Sequence, residues 1–178
     1  MNLRLNRELK AYCNDFTTAR RLLREHGAAF VEVKEQVDHY YRMPPGDADG
    51  ATRRLKLRIE HGRGELIYYC EGQDRGARTS RFQTASTDDP LMGDVLEAAL
   101  GISAVVRKQR ELWRKDNVVF NLDTVEGVGQ ILEVEVQAQD GCDIDLQIIE
   151  YQRLFEPCLG DYIVGSNEDL VARASSPP

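Results

Sequence analysis

Polar and apolar residues alternate with a period of two from the start of the chain. Asn2, Arg4, Asn6, Glu8 and Lys10 fall on one face; Leu3, Leu5, Leu9 and Ala11 fall on the other, interrupted by Arg7. That is the pattern of a strand with one apolar face. The same period returns in RRLKLRIE, where Arg54, Lys56 and Arg58 oppose Leu55, Leu57 and Ile59. In NVVFNLDTV, Asn121 and Asp123 oppose Phe120 and Leu122, and in QILEVEVQA, Glu133 and Glu135 oppose Leu132, Val134 and Val136. VVRKQRELWR keeps Lys108 and Arg110 together, although its other face (Arg107, Gln109, Glu111, Trp113) is not cleanly apolar. AAFVEVKEQVDHYYRM, ELIYYCEG and TSRFQTA also read as extended, giving about eight strands.

Between them the period lengthens. FTTARRLLREHG places Phe16, Ala19, Leu22 and Leu23 on one side, with Asn14 or Asp15 as cap and Gly27 as stop. DDPLMGDVLEAALG puts Leu91, Val95, Leu96 and Ala99 at helical spacing, and DIDLQIIEYQRLFEPCLG reads as an amphipathic helix ending near Pro157 to Gly160. PPGDADG and GQDRGAR are a loop and a turn by composition, HGRGE is a hairpin signal, and EGVG closes the clearest hairpin. Mostly hairpin-linked strands with two or three longer helices predict an α+β fold, an eight-stranded antiparallel barrel with flanking helices. One domain over residues 1–171 is expected, followed by a disordered tail, 172–178.

Composition narrows the class. A chain of 178 residues that is 42% hydrophobic and 30% charged has length for one real core. Its net charge of −7 argues against nucleic-acid binding driven by overall charge. No apolar run reaches membrane-span length and no leader-like segment opens the chain, so no membrane association and a cytoplasmic location are expected. Cys13, Cys70, Cys142 and Cys158 are scattered without a CxxC pair and read as reduced thiols.

The charges on the strand faces are sorted: basic on some strands, acidic on others. A solvated outer face is the plain account of any one strand. If the sheet closes with these faces inward, they line a tunnel of cations and carboxylates. Crowded carboxylates raise one another's pKa unless a cation sits between them. A hard divalent ion such as Mg²⁺ or Mn²⁺ suits an all-oxygen site, and neighbouring lysines and arginines suit phosphate oxygens. The combination fits a polyphosphate bound with metal.

These residues resemble the CYTH superfamily, the triphosphate tunnel metalloenzymes, over roughly residues 4 to 171. NRELK is similar to the family's opening ExExK strand, QVDHYYRMP to its QxDxYF-type segment, and RRLKLR to its basic third strand. VVRKQRELW resembles the KxR strand, and NLDTVEGVGQILEVEV the late LDxVxGLGxFxExE hairpin. The resemblance implies an eight-stranded barrel with its polar residues inside, and metal-dependent chemistry on a triphosphate. By position it implies Glu8, Glu133 and Glu135 as metal carboxylates with Asp123 as a nearby helper. Lys10, Lys56, Arg58, Lys108 and Arg110 would hold phosphates, joined by Arg78 or Arg81; Glu8, Lys10, Lys108 and Arg110 would be catalytic. Arg54 would stand at the tunnel mouth. A homodimer is a family-level expectation.

The chain departs from the family at four places. Asn6 replaces the first glutamate of ExExK, Tyr69 a lysine of the fourth strand, Val119 a basic residue of the seventh, and Asn167 a closing tyrosine. Three functions therefore stay open: a class IV adenylyl cyclase-like enzyme converting ATP to cyclic AMP and pyrophosphate, a triphosphatase acting on tripolyphosphate, thiamine triphosphate or a nucleotide, and a protein that binds a triphosphate without turnover. Elsewhere the plain accounts suffice. Gly127 and Gly129 precede a strand and mark a hairpin turn, His26, His39 and His61 lack ligand spacing, and Trp113 is a packing residue.

Overall fold

The computed structural model describes residues 4–44, 52–71 and 78–174. Eight antiparallel strands, β1 (Arg4–Tyr12), β2 (Ala29–Tyr41), β3 (Thr52–Glu60), β4 (Arg63–Glu71), β5 (Arg78–Thr87), β6 (Ile102–Lys115), β7 (Val118–Val125) and β8 (Gly129–Gln137), close in the order β1-β5-β4-β3-β2-β6-β7-β8. Four helices flank this barrel: α1 (Phe16–Glu25), α2 (Met92–Leu100), α3 (Ile144–Phe155) and α4 (Asn167–Ala174). The loop expected at PPGDADG, the turn at GQDRGAR and the end of the ARASSPP tail fall mostly outside the described residues.

Local chemistry sets the joints. His61 (φ 50°) and Gly62 (φ 75°) form a two-residue left-handed turn that matches strand twist, leaving Glu60 opposite Arg63. Gly127 (φ 72°) turns β7 into β8. Asp15 caps α1, accepting from the Thr18 backbone N–H at 2.9 Å and from its hydroxyl at 2.6 Å. Asp143 caps α3 through Asp145 and Leu146. The barrel closes where β1 pairs with β8 over Asn6–Tyr12 and with β5 over Arg4–Glu8.

The barrel is polar inside and apolar outside. Leu9, Phe120, Leu122, Leu132, Val134 and Val136 point outward and are buried under Phe16, Ala19 and Leu23 of α1 and Ile148 and Phe155 of α3. Each such side chain contributes about 1.5–3 kcal/mol on burial. Trp113 belongs to this core, edge-on to Phe30 at 5.3 Å. The outer polar groups of β6 also find partners: Glu111 binds Arg20 of α1 and Gln109 binds Glu35.

At one end the inward positions turn apolar. Val106, Val125 and Ile131 each lie two residues from a charged lumen residue, and with Tyr40 they pack on Ile163 and Leu170. This plug comes from the closing segment, pinned by the Ile163 N–H on the Lys10 carbonyl (2.9 Å) and an Ala11–Tyr162 bridge.

Two elements differ from expectation. The apolar spacing of α2 is real, but the helix buries no side chain, and Leu91 and Val95 are about three-fifths exposed (61% and 62%). α4 is not among the expected helices and runs to Ala174, past the boundary expected at 171. Its signal is a reciprocal cap: the Asp169 carboxylate accepts from the Ser166 N–H at 2.7 Å and the Ser166 hydroxyl accepts from the Asp169 N–H at 3.3 Å.

Candidate functional site

The inward faces enclose a cavity of about 300 Å³, lined by Asn6, Glu8 and Lys10 of β1, Lys56 and Arg58 of β3, Lys108 and Arg110 of β6, and Glu133 and Glu135 of β8. Period-two alternation on every strand delivers these residues to one lumen. The four departures from the family pattern also face it: Asn6, Tyr69, Val119 and Asn167 all line the cavity.

Two units of the same design hold most of the cations. On β3, Lys56 and Arg58 converge on Asp38 of β2: Lys56 Nζ at 2.8 Å, Arg58 Nε at 2.7 Å and Arg58 Nη2 at 2.9 Å. On β6, Lys108 and Arg110 converge on Asp123 of β7: Lys108 Nζ at 2.9 Å and both Arg110 contacts at 2.6 Å. In each, the arginine stands directly opposite its aspartate in the ladder, Arg58 to Asp38 and Arg110 to Asp123. One carboxylate fixes two cations, so each unit keeps an excess positive charge for an anion. Burial alone would raise both aspartates, but the paired cations outweigh it and hold Asp38 well below the usual carboxylate range and Asp123 below it.

Lys56 is the most constrained of the cations. Its ammonium stands 5.3 Å from the ring centres of both Tyr40 and Tyr69. Burial and the Arg58 charge outweigh Asp38 and bring its pKa down to about 7. Burial raises the Tyr69 phenol, which therefore stays protonated. Tyr69 also packs on Phe82 at 6.1 Å, giving the β4–β5 wall an aromatic surface.

The acidic wall is different. Glu133 accepts from Lys10 at 2.8 Å and Arg110 at 2.8 Å. Those cations, with Lys108, overcome burial and hold it well below the carboxylate range. Glu135 lies directly opposite Glu8 across β1 and β8. Burial and the Glu133 charge raise its pKa, although Asn121 donates to it at 2.8 Å. The Asn121 carbonyl oxygen is buried and finds no donor among the described residues.

This donor set tests the metal expectation. Among the described residues no three His, Cys, Asp or Glu side chains already converge as a metal centre. Asp123 and Glu133 are engaged by lysine and arginine. Glu8 and Glu135, with the amide oxygen of Asn121, are hard oxygen donors lining one lumen, a set that fits a divalent cation of the Mg²⁺ or Mn²⁺ type.

In the register of β1 with β5, position 78 lies opposite Glu8 and position 81 opposite Leu5. Arg54 stands at the closing segment, bound to Glu168 at 3.2 Å and Asp169 at 2.8 Å. Sequence reasoning passed over Gln36, Asp38 and Tyr40 as site residues, although their alternation within EQVDHYY on β2 carried the signal; Gln36 and Tyr40 line the cavity, and Asp38 stands behind it.

Residues 4–152 match the family of the CYTH domain. A Methanocaldococcus jannaschii protein provisionally named an adenylate cyclase is 27% identical over 135 residues, spanning 75% of this chain and 77% of that one. The solved PH1012 protein of Pyrococcus horikoshii OT3 superposes with a TM-score of 0.78 at 23% identity, covering 93% of this chain and 98% of its own. A Hippeastrum protein provisionally named an adenylyl cyclase, and described as having a dominant triphosphatase activity, superposes at 0.63 with 12% identity, covering 98% and 97%. No helix among the described residues is long and apolar enough to cross a membrane. With its motifs gathered in one barrel lumen, the chain belongs to the CYTH-domain family, whose members bind triphosphates and generally use divalent metals.

Proposed function

We propose that the protein is a metal-dependent enzyme that converts ATP to cyclic AMP and pyrophosphate, as class IV adenylyl cyclases do. The observation that carries this reading is the pair of Lys–Asp–Arg units set around one lumen that also holds the Glu8–Glu135 carboxylate pair. Glu8, Glu135 and the Asn121 carbonyl would hold Mg²⁺ or Mn²⁺, with Glu133 and Asp123 as the further carboxylates around it. When bound, such a metal lowers the pKa of an attacking hydroxyl or water and offsets phosphate charge.

The chain's own residues do the rest. Lys10, Lys108 and Arg110 hold the phosphates that leave, and Lys56 and Arg58, with Arg78, hold the remainder of the chain. Because Asp38 and Asp123 already fix these side chains, little reorganisation is needed as charge builds on the departing oxygen. In cyclisation the ribose 3′-hydroxyl gives its proton to solvent, its oxygen bonds to the α-phosphorus, and the bond from that phosphorus to the α–β bridging oxygen breaks, so that pyrophosphate leaves.

Hydrolysis of tripolyphosphate, thiamine triphosphate or a nucleotide is the second reading. The cavity of about 300 Å³ favours it, being at the small end of ligand sites and lined chiefly by groups that read phosphate. Purified protein with Mg²⁺ or Mn²⁺ should be offered ATP, tripolyphosphate and thiamine triphosphate in parallel. Cyclic AMP with pyrophosphate supports the first reading, and orthophosphate moves it to the second. Tight binding without product makes it a triphosphate-binding protein. Glu8→Ala and Glu133→Ala should abolish turnover; variants as fast as wild type would remove these residues from the site.

A further inference from the structure

The walls of the lumen are not alike. Its cations come from β1, β2, β3 and β6. Among the described side chains, β4 and β5 contribute Glu65, Ile67, Tyr69, Phe82 and Thr84, and no cation. Tyr69 and Phe82 stand directly opposite each other in the β4–β5 ladder, with ring centres 6.1 Å apart and planes tilted by 38°. Both are half-buried, so each keeps surface open to the cavity it lines. Lys56 stands over the Tyr69 ring, 5.3 Å from its centre, and is itself tied to Asp38 at 2.8 Å. Tyr69 is one of the chain's departures from the family pattern, so this surface is made by residues particular to this chain.

The face of an aromatic ring is electron-rich and gains nothing from a phosphate oxygen. It gains from a flat π system, which stacks on it and removes apolar area from water. β5 lies four strands from β6 in the closed order, so the aromatic pair faces the wall that carries Lys108 and Arg110. A ligand with a flat ring at one end and phosphates at the other can engage both walls. Inorganic tripolyphosphate can engage only the second.

We infer that Tyr69 and Phe82 form a ring subsite, which stacks on the planar aromatic part of an organic triphosphate. These two residues then select aromatic triphosphates, nucleotides among them, over inorganic tripolyphosphate. The inference rests on the triphosphate reading above and adds the substrate class to it, with the residues that choose it.

Calorimetric titration with ATP and with methyl triphosphate, at fixed Mg²⁺, tests it, because the two ligands share their phosphate charge and only one carries a ring. Wild type should bind ATP about five- to tenfold more tightly. Tyr69→Leu keeps apolar bulk and removes the ring. It should erase most of that preference and leave methyl triphosphate within about twofold. Phe82→Leu should act in the same direction, and either variant decides the matter if the other does not fold. Tyr69→Phe keeps the ring and should keep the preference. Wild type that does not prefer ATP overturns the inference without any variant. A preference that survives the leucine substitutions places the ring elsewhere, and one lost in Tyr69→Phe makes the hydroxyl the determinant; both overturn it. Wild type that binds neither ligand overturns the triphosphate reading itself, and the inference with it.

Discussion

Asp38 carries more structural weight than its single charge suggests. It is fully buried and is the partner of both Lys56 and Arg58. Asp38→Asn would leave two cations buried without a counter-charge, a loss of about 3–5 kcal/mol. Lys56 can escape part of this by shedding its proton, because its folded-state pKa is already down to about 7 against 10.5 for a free lysine. Between those values the unfolded chain binds more protons than the folded one, so this group makes stability rise with pH. Urea denaturation at pH 6 and pH 9 should show Asp38→Asn recovering stability at the higher pH by more than wild type does. Equal recovery would mean that Lys56 is not the group that titrates. The lysine itself was legible from alternation in RRLKLR, but its pKa was not. That depends on burial in the lumen and on the Arg58 charge, set against the Asp38 carboxylate, which only closure of the barrel brings together.

Among the elements, β1, β3, β7 and β8 were readable because a strand half-buried on one face repeats strictly every two residues. β6 was harder, since its outer face carries Gln109 and Glu111, whose partners Glu35 and Arg20 come from distant parts of the chain. α4 was missed because eight residues give little periodic signal, though its Ser166–Asp169 cap is a local sequence feature. Ser166→Ala should remove one side of that cap, costing about 1 kcal/mol. Because α4 carries Leu170 into the plug and Asn167 toward Lys10, the loss should appear as faster amide exchange in 167–174 with little change in overall melting. Unaltered exchange there would mean that the plug contacts, not the cap, hold the helix.

For the molecule as a whole, the buried Glu135 carboxylate beside the Glu133 charge opposes closure of the barrel at the β1–β8 seam. Burial and Glu133 raise the pKa of Glu135, so its folded form favours the proton more than its unfolded form does. Metal-free stability therefore falls as pH rises through the folded-state pKa, above 4.5. Glu135→Gln should raise the metal-free melting temperature by about 2–4 °C, as expected for roughly 1 kcal/mol. The same substitution should remove most of the melting-temperature rise produced by Mn²⁺ in wild type. A variant that still gains the full Mn²⁺ stabilisation would place the cation elsewhere.

The sequence by itself determined the strands, their two faces and the types of charge each face carries, because alternation is a local property of the backbone. It also carried the family resemblance, since motif order survives without any knowledge of contacts. Which charges neutralise which was a tertiary decision. Asp123, whose position in the late hairpin implies a metal helper, is joined to Lys108 and Arg110 only by the closure of β6 against β7. Register alone put position 78 across from Glu8 and 81 across from Leu5. The unpartnered oxygens of Gln36 and Asn121 likewise emerge only when burial removes water from groups that sequence shows as ordinary polar residues.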